Sequence, residues 1–224
     1  MSAAIGGRMI LLTGFQGYGS RSQNPAAAVA EALDGQVIGG LAVAGRPLPV
    51  DMRALEETLP RLIDAVEPRI ILALGLWPGE TMVRLERVAA NWADFEIPDN
   101  RGLRLSGRLR AEGPDGYLLS LPVDDIRPRL LREGIPARFS GSAGHFLCNA
   151  LSYLAMDHCA RHHPATRVGF MHLPYLPAQV SELVERLAQD GTTELHQRAD
   201  LASMSLNTML AAVRLALETA AELS

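Results

Sequence analysis

Cys148 closes the stretch Ser140-Gly141-Ser142-Ala143-Gly144-His145-Phe146-Leu147-Cys148, where small residues give way to a long helical pattern. A thiol in the first turn of a helix faces unpaired backbone N–H groups and the positive end of the helix dipole. Both favour thiolate, the attacking form of cysteine. His172 ends the apolar run Val168-Gly169-Phe170-Met171. An imidazole, with an ordinary pKa of ~6.5, is suited to taking a thiol proton. Glu86 lies in Val83-Arg84-Leu85-Glu86-Arg87-Val88. A carboxylate behind an imidazole fixes its tautomer and stabilises the imidazolium. These residue types point to a Cys-His-acid hydrolase. Each also has a plainer reading. Free cysteines often fill space in a core, a strand-end His is often a hydrogen-bonded structural residue, and Glu86 alone reads as a surface charge paired with Arg84 or Arg87.

Other reactive side chains carry less. Cys159 sits mid-helix with no glycine turn before it and reads as structural. His145, His158, His162, His163 and His196 lack a strand-end setting, and His162-His163 reads as a helix C-terminal pair interacting with the dipole. There is no HExxH, no CxxC and no tight His/Asp cluster along the chain, so no metal or other cofactor is expected. The loop Gly14-Phe15-Gln16-Gly17-Tyr18-Gly19 has the look of a phosphate cradle. It lacks both the Lys-Ser/Thr of a P-loop and the GxGxxG spacing.

The elements that must position these groups alternate. Ile10–Gly14 and Ile70–Gly75 are apolar strand patterns, and Val168–His172 is a third. Asn24-Pro25 supplies a cap and first-turn proline for a helix Ala26–Leu33. Gln36–Ile38 and Gly45–Val50 read as short extended pieces. A helical pattern then runs from Asp51 to Val66, and Pro60 should kink or divide it. Residues 76–116 carry many turn formers and little clear helix, with Pro98-Asp99-Asn100-Arg101-Gly102 the strongest turn. Tyr117–Leu121 reads as strand and Val123–Glu133 as helix; after Ala137-Arg138-Phe139 come the Cys148 turn and its helix, which runs to about His162. Helices Pro177–Gln189 and Ser205–Leu223 finish the chain. Apolar strands alternating with helices predict an α/β fold: a twisted, mainly parallel sheet with helices on both faces, in a single domain spanning 1–224. Ligand sites in such folds lie at carboxyl ends of strands, where Gly14, Gly75, the Gly141 turn and His172 all fall.

Size and charge narrow the function further. A chain of 224 residues holds one generous core and is short for two. A net charge of −4 argues against nucleic acid or an anionic membrane as partner. No apolar run approaches the ~20 residues of a membrane span. Met1–Arg8 lacks the basic region and apolar core of a signal peptide, so the protein reads as cytoplasmic. On one helix, Cys148 and Cys159 lie roughly 16 Å apart. That exceeds the about 7 Å a disulfide spans, in keeping with a reducing compartment.

Several blocks, in order along nearly the whole chain, resemble the pyroglutamyl peptidase I (pyrrolidone-carboxylate peptidase) family of cysteine peptidases. Thr13-Gly14-Phe15 with Asn24-Pro25 is similar to its TGFEPFGG…NP segment. Glu86-Arg87-Val88-Ala89 with Asn91, then Ile97-Pro98-Asp99-Asn100, resembles ERVAxN…IPDN. Gly134-Ile135-Pro136-Ala137, Ser142-Ala143-Gly144 and Cys148-Asn149 resemble GIPA…SAG…CN. Gly169-Phe170-Met171-His172 with Pro174-Tyr175-Leu176-Pro177 resembles GFIHxPYxP, and Met204-Ser205-Leu206 matches the entry to the last helix.

The resemblance implies a single three-layer α/β/α domain, a homo-oligomer (dimer or tetramer), no cofactor, and removal of an amino-terminal pyroglutamyl (5-oxoprolyl) residue from small peptides. It implies Cys148 as nucleophile, His172 as base and Glu86 as the group orienting it, acting through a thioester. Phe15 and Tyr18 occupy the positions of two phenylalanines flanking the lactam ring, with Phe146 and Leu147 expected in the same pocket. The chain departs from the family at Gln16-Gly17, which replace Glu-Pro, and at Glu80 and Glu96, which stand where arginines are expected. An anion there would oppose a developing oxyanion or draw a cationic substrate, so Glu96, Glu80 and Gln16 are candidate modulators of oxyanion stabilisation or specificity. The competing reading is a non-catalytic or retuned small-lactam-binding protein on the same scaffold.

Overall fold

Apolar runs become the centre of a seven-stranded sheet in the computed structural model, which describes residues 9–19, 21–191 and 199–224. The Met1–Arg8 segment, on which the cytoplasmic reading rests, lies outside the described residues, as does His196. Strands β1 (Met9–Phe15), β4 (Ile70–Leu76) and β11 (Arg167–Leu173) are buried almost throughout, as strands covered on both faces must be. They are joined by β2 (Val37–Ile38), β3 (Leu41–Leu48), β5 (Val83–Glu86) and β10 (Ala137–Ser140), in the order β10-β5-β11-β4-β1-β3-β2. The pairs β10/β5, β11/β4, β4/β1 and β1/β3 are parallel, whereas β5/β11 and β2/β3 are antiparallel.

Side-chain alternation along the strands builds a core on each face. Ile10, Leu12, Leu72, Leu74, Leu85 and Met171 face helices α1 (Pro25–Leu33), α3 (Val123–Arg132) and α6 (Leu206–Glu222). Leu11, Ile71, Ala73, Val168 and Phe170 face α2 (Met52–Val66) and α4 (Leu147–His162). A sixth helix, α5 (Pro177–Gln189), comes after β11. The helices start where the caps predict: Asn24 accepts from Ala26 N, Asp51 from Ala54 N and Ser205 from Thr208 N. On α6, Met209, Val213 and Leu217 are spent on the internal core, and Leu206 and Leu210 pack partly against it.

The expectation that Pro60 divides its helix is corrected. Helix α2 runs unbroken through Pro60. Pro60 and Glu56 lie on its half-exposed side, where solvent satisfies the carbonyl that the proline leaves without a donor. Residues 76–116, all of them described, hold no helix, in keeping with their turn formers, but they do contain short strands. They hold β5, and they contribute β6 (Val88–Ala90), β7 (Ala93–Asp94) and β8 (Ser106–Gly107). Strand β6 pairs with β9 (Gly116–Leu118), and β7 pairs with β8. Strand β5 escaped the hydropathy pattern because two of its four residues are charged, yet all four are buried.

Candidate active site

His172 sits near the carboxyl end of β11, paired in register with Gly75 on β4 and Arg84 on β5. Because β5 runs against β11, Glu86 lies two residues beyond Arg84, deeper along the sheet and on the same face as His172. Its Oε1 accepts a 2.8 Å hydrogen bond from His172 Nδ1. The same oxygen accepts from Arg84 Nε at 3.1 Å. Glu86 is wholly buried, so it is not the surface charge its local sequence suggests, although its pairing with Arg84 is as that reading had it.

Arg84 is the residue that sequence reasoning undervalued. Its Nη2 donates to Ser140 Oγ at 2.6 Å and to the Ser142 carbonyl at 2.9 Å, and its guanidinium lies 3.7 Å from the centre of the Trp77 ring. The Trp77 ring also meets the His172 ring edge-on, with centroids 5.0 Å apart. One cation therefore neutralises Glu86 and pins the small-residue turn leading to Cys148. The local signal was available in the i, i+2 spacing of Arg84 and Glu86, which puts both on one face of a strand.

Cys148 is the second residue of α4, after the extended N-cap Phe146. Asn149 anchors this helix start, donating to the Ala90 and Trp92 carbonyls and accepting from Ala90 N. The first-turn N–H groups have no intrahelical acceptors and are available to an incoming oxyanion. Gly75 shows how close the Cys148 thiol and the His172 imidazole are. A β-carbon built there would stand 2.8 Å from Cys148 Sγ, 3.0 Å from His172 Cδ2 and 2.9 Å from Phe170 Cζ. Sulfur and imidazole thus flank a single point that only glycine leaves empty. No hydrogen bond joins Sγ to His172 in this resting geometry.

The expected thiolate is not what the surroundings favour. Burial pushes the Cys148 thiol up to about 12, and the Glu86 charge adds to this while Arg84 opposes it. Burial also lowers the His172 pKa from its ordinary value, outweighing the Glu86 hydrogen bond and charge, which raise it. The resting pair is accordingly a neutral thiol beside a neutral imidazole. Nδ1–H is committed to Glu86, which leaves Nε2 as the free base.

In front of Cys148 and His172 opens a cleft of about 400 Å³, lined by Phe15, Tyr18, Trp77, Phe146 and Leu147 among others. Phe146 packs edge-on to Phe95 at 4.6 Å and lies 6.3 Å from Tyr18. Burial raises the Tyr18 hydroxyl pKa to about 12, so this wall stays uncharged. The Tyr18 loop is held from behind: Asn100 donates to the Gly17 carbonyl at 2.9 Å, and Asp99 accepts from Met52, Arg101 and Leu103 N–H groups. The Pro98-Asp99-Asn100 block is therefore scaffolding. Glu96 lines the cleft mouth and is exposed. Glu80 does not line the cleft. It is buried and ion-paired to Arg138 at 2.6 Å and to Arg84 at 3.7 Å, so its charge is compensated away from the reacting atoms. Gln16 is exposed and also outside the lining. A further grouping, of Asp64, His158 and His163, contradicts the expectation that no His/Asp cluster exists.

A family model described as pyroglutamyl peptidase matches residues 8–223. The chain belongs to the pyroglutamyl peptidase family. It is 35% identical to a pyrrolidone-carboxylate peptidase of Pyrococcus furiosus, over 95% of this chain and 98% of that one. It is 33% identical to the Bacillus subtilis (strain 168) pyrrolidone-carboxylate peptidase, over 96% and 93%. Among solved structures it superposes on a mutant pyrrolidone carboxyl peptidase from P. furiosus with a TM-score of 0.88, at 34% identity over 96% and 98% of the two chains. Pyroglutamyl peptidase I from Bacillus amyloliquefaciens superposes with a TM-score of 0.84, at 33% identity over 96% and 97%. The three-layer fold of this pyroglutamyl peptidase family member is thus shared along its whole described length.

The crowding at Gly75 makes a sharp prediction. Gly75→Ala forces the thiol and the imidazole apart, and a misplacement of about 1 Å costs about 10²-fold in rate. Turnover of a pyroglutamyl amide should fall at least that far while far-UV circular dichroism is retained. A variant as active as the parent would mean that these two groups do not act together at this point.

Proposed function

We propose that this protein is a cysteine peptidase that removes an amino-terminal pyroglutamyl residue from peptides, with Cys148, His172 and Glu86 as its reacting set. The observation that carries the reading is the buried Glu86–His172 hydrogen bond, which leaves Nε2 as a base beside a thiol at a helix start. The Cys148 proton passes to Nε2 as sulfur attacks the pyroglutamyl carbonyl carbon. Glu86 stabilises the imidazolium through Nδ1–H. The oxyanion turns toward the first-turn N–H groups of α4. Collapse breaks the C–N bond, His172 protonates the departing amine, and a thioester remains. Water, deprotonated by His172, then releases pyroglutamate and restores the thiol. Phe15, Tyr18, Phe146 and Leu147 offer the lactam ring a flat apolar wall. The neutral thiol suits this scheme, because proton transfer to His172 and attack then occur together.

Cys148→Ala should abolish release of fluorophore from a pyroglutamyl amide. An undiminished rate would remove the sulfur from the mechanism.

The pH dependence has a defined sign. Catalysis needs the neutral base, and burial lowers the His172 pKa, so the neutral form persists below the ordinary ~6.5. The acid limb of kcat/KM should therefore fall on the acid side of that value. A limb centred above neutrality would contradict a buried His172 as base.

Charge at the cleft mouth sets a preference for the residue after the pyroglutamyl group. Asp94 and Glu96 line the cleft, and among the described residues no Lys or Arg does. Peptides with a cationic second residue should be cleaved with higher kcat/KM than acidic ones. The preference should shrink in Glu96→Gln and at high salt, since exposed charges are screened. Equal rates for pyroglutamyl-lysyl and pyroglutamyl-glutamyl peptides would dismiss Glu96 as a specificity residue.

A further inference from the structure

At the far end of the helix that carries Cys148 in its first turn, three side chains from two helices converge. Asp64 lies in the last turn of α2, His158 in the last turns of α4, and His163 is the residue capping α4. Asp64 Oδ1 lies 2.7 Å from His158 Nε2 and 2.9 Å from His163 Nε2, and the three atoms lie within 4.8 Å of one another. The two histidines are five residues apart, a spacing that would splay them on a continuous helix. They meet because His163 has left helical geometry, with φ −135° and ψ 58°.

We propose that Asp64, His158 and His163 form a binding site for a divalent transition-metal ion of the zinc class. The ligand set, two imidazoles and a carboxylate with the remaining position left to water, suits Zn²⁺ and Co²⁺ and disfavours the harder Mg²⁺ and Ca²⁺. Zinc bonds of about 2.0–2.1 Å in tetrahedral array place ligand atoms roughly 3.4 Å apart. The two short Asp–His contacts, at 2.7 and 2.9 Å, need only widen slightly to reach that spacing. Both Nε2 atoms now point at one oxygen, so each must carry a proton there. An entering ion takes that place, and each neutral imidazole gives up its Nε2 proton to solvent and takes one up on Nδ1.

Electrostatics favour the same occupant. A carboxylate in the last turn of a helix is repelled by the dipole's negative end, and here the C-terminal ends of α2 and α4 meet. Two negative helix ends and Asp64 together call for positive charge. The site is open to solvent, with Asp64 about half exposed and His163 and His158 partly so. It lies roughly 15 Å of helix away from Cys148. A bound ion would staple α2 to α4 and stabilise the fold by mass action without touching the reaction.

Cobalt separates this site from the thiol. The chelator-treated protein, titrated with Co²⁺, should bind one equivalent with weak visible bands and no thiolate-to-cobalt charge-transfer band. Its thermal midpoint should rise. His163→Ala and Asp64→Asn should each weaken binding by more than about tenfold, the least that even an outer-shell partner is worth. Metal-free turnover of a pyroglutamyl amide should be unchanged in both variants, which also reports their folding. In the unaltered protein, the first equivalent of Zn²⁺ should shift the ring-proton resonances of two histidines. Absence of binding at millimolar Co²⁺, a thiolate band for the first equivalent, or affinity unchanged in both variants would overturn the assignment.

Discussion

A carboxylate with no access to water has to be compensated where it stands, and for Glu86 that compensation is Arg84. Burying either ion alone would cost several kcal/mol, and together they hold only if the remaining polar atoms find partners. Arg84 does find them, in Ser140, in the Ser142 carbonyl and over the face of Trp77. Glu86 spends Oε1 on both Arg84 and His172, while Oε2 has no protein partner among the described residues. The ion pair thus joins β5, β10 and the turn before α4 to the imidazole on β11. Removing Arg84 would leave the buried carboxylate without its cation and loosen the turn that delivers Cys148. Reversal of β5 relative to β11 is what makes the arrangement possible. It places the acid behind the base, toward the sheet interior, and leaves the imidazole's other nitrogen facing the rim.

Burial and the helix start act on Cys148 in opposite directions. The first turn of α4 supplies N–H groups and a positive dipole end that favour thiolate. Desolvation and the nearby Glu86 charge favour the protonated sulfur more strongly. The same burial keeps His172 neutral, so a resting ion pair is disfavoured from both sides. Arg84 lies between the two effects: its charge lowers the thiol pKa and also opposes protonation of the imidazole. The dry setting that discourages charge at rest also strengthens each hydrogen bond offered to charge as it forms. A neutral resting pair is therefore compatible with the proposed role of Cys148 as nucleophile.

How much could be read along the chain depends on how local each signal is. Strands β1, β4 and β11 announce themselves as continuous apolar runs, and helices α1 and α2 through their Asn24 and Asp51 caps. Cys148 and His172 were legible because each sits at a junction, a helix start and a strand end. Glu86 was not legible from its neighbours, since a four-residue strand with two charges looks like surface. It stood as a candidate acid beside a plainer surface-charge reading, and likeness to a family raised it above that. Asp64, His158 and His163 were invisible because 94 and 99 residues separate the partners, and only the packing of α2 on α4 brings them together. Gly75 was seen as a strand end, but its purpose as empty volume between sulfur and imidazole is a three-dimensional fact.

The cleft wall owes its shape to loops that are held from outside. Asp99 is buried, yet three backbone N–H groups hold its carboxyl below the ordinary range against the opposing effect of burial. Those bonds fix the start of α2 and the turn just after Asp99. Asn100 then reaches the Gly17 carbonyl and so holds the loop that presents Tyr18. Gly14 lets this loop begin at all, because a β-carbon there would stand 2.0 Å from the Ala26 carbonyl oxygen at the start of α1. The aromatic wall at Phe15 and Tyr18 is thus set by one helix start, α1, and braced against another, α2. Cys148 comes from a third, α4. A flat ring bound against that wall meets the thiol at a position decided by how these three helices pack on the sheet. The aromatic wall and the Cys148 thiol therefore share one scaffold, and a substitution that slides either helix relative to α4 shifts one against the other.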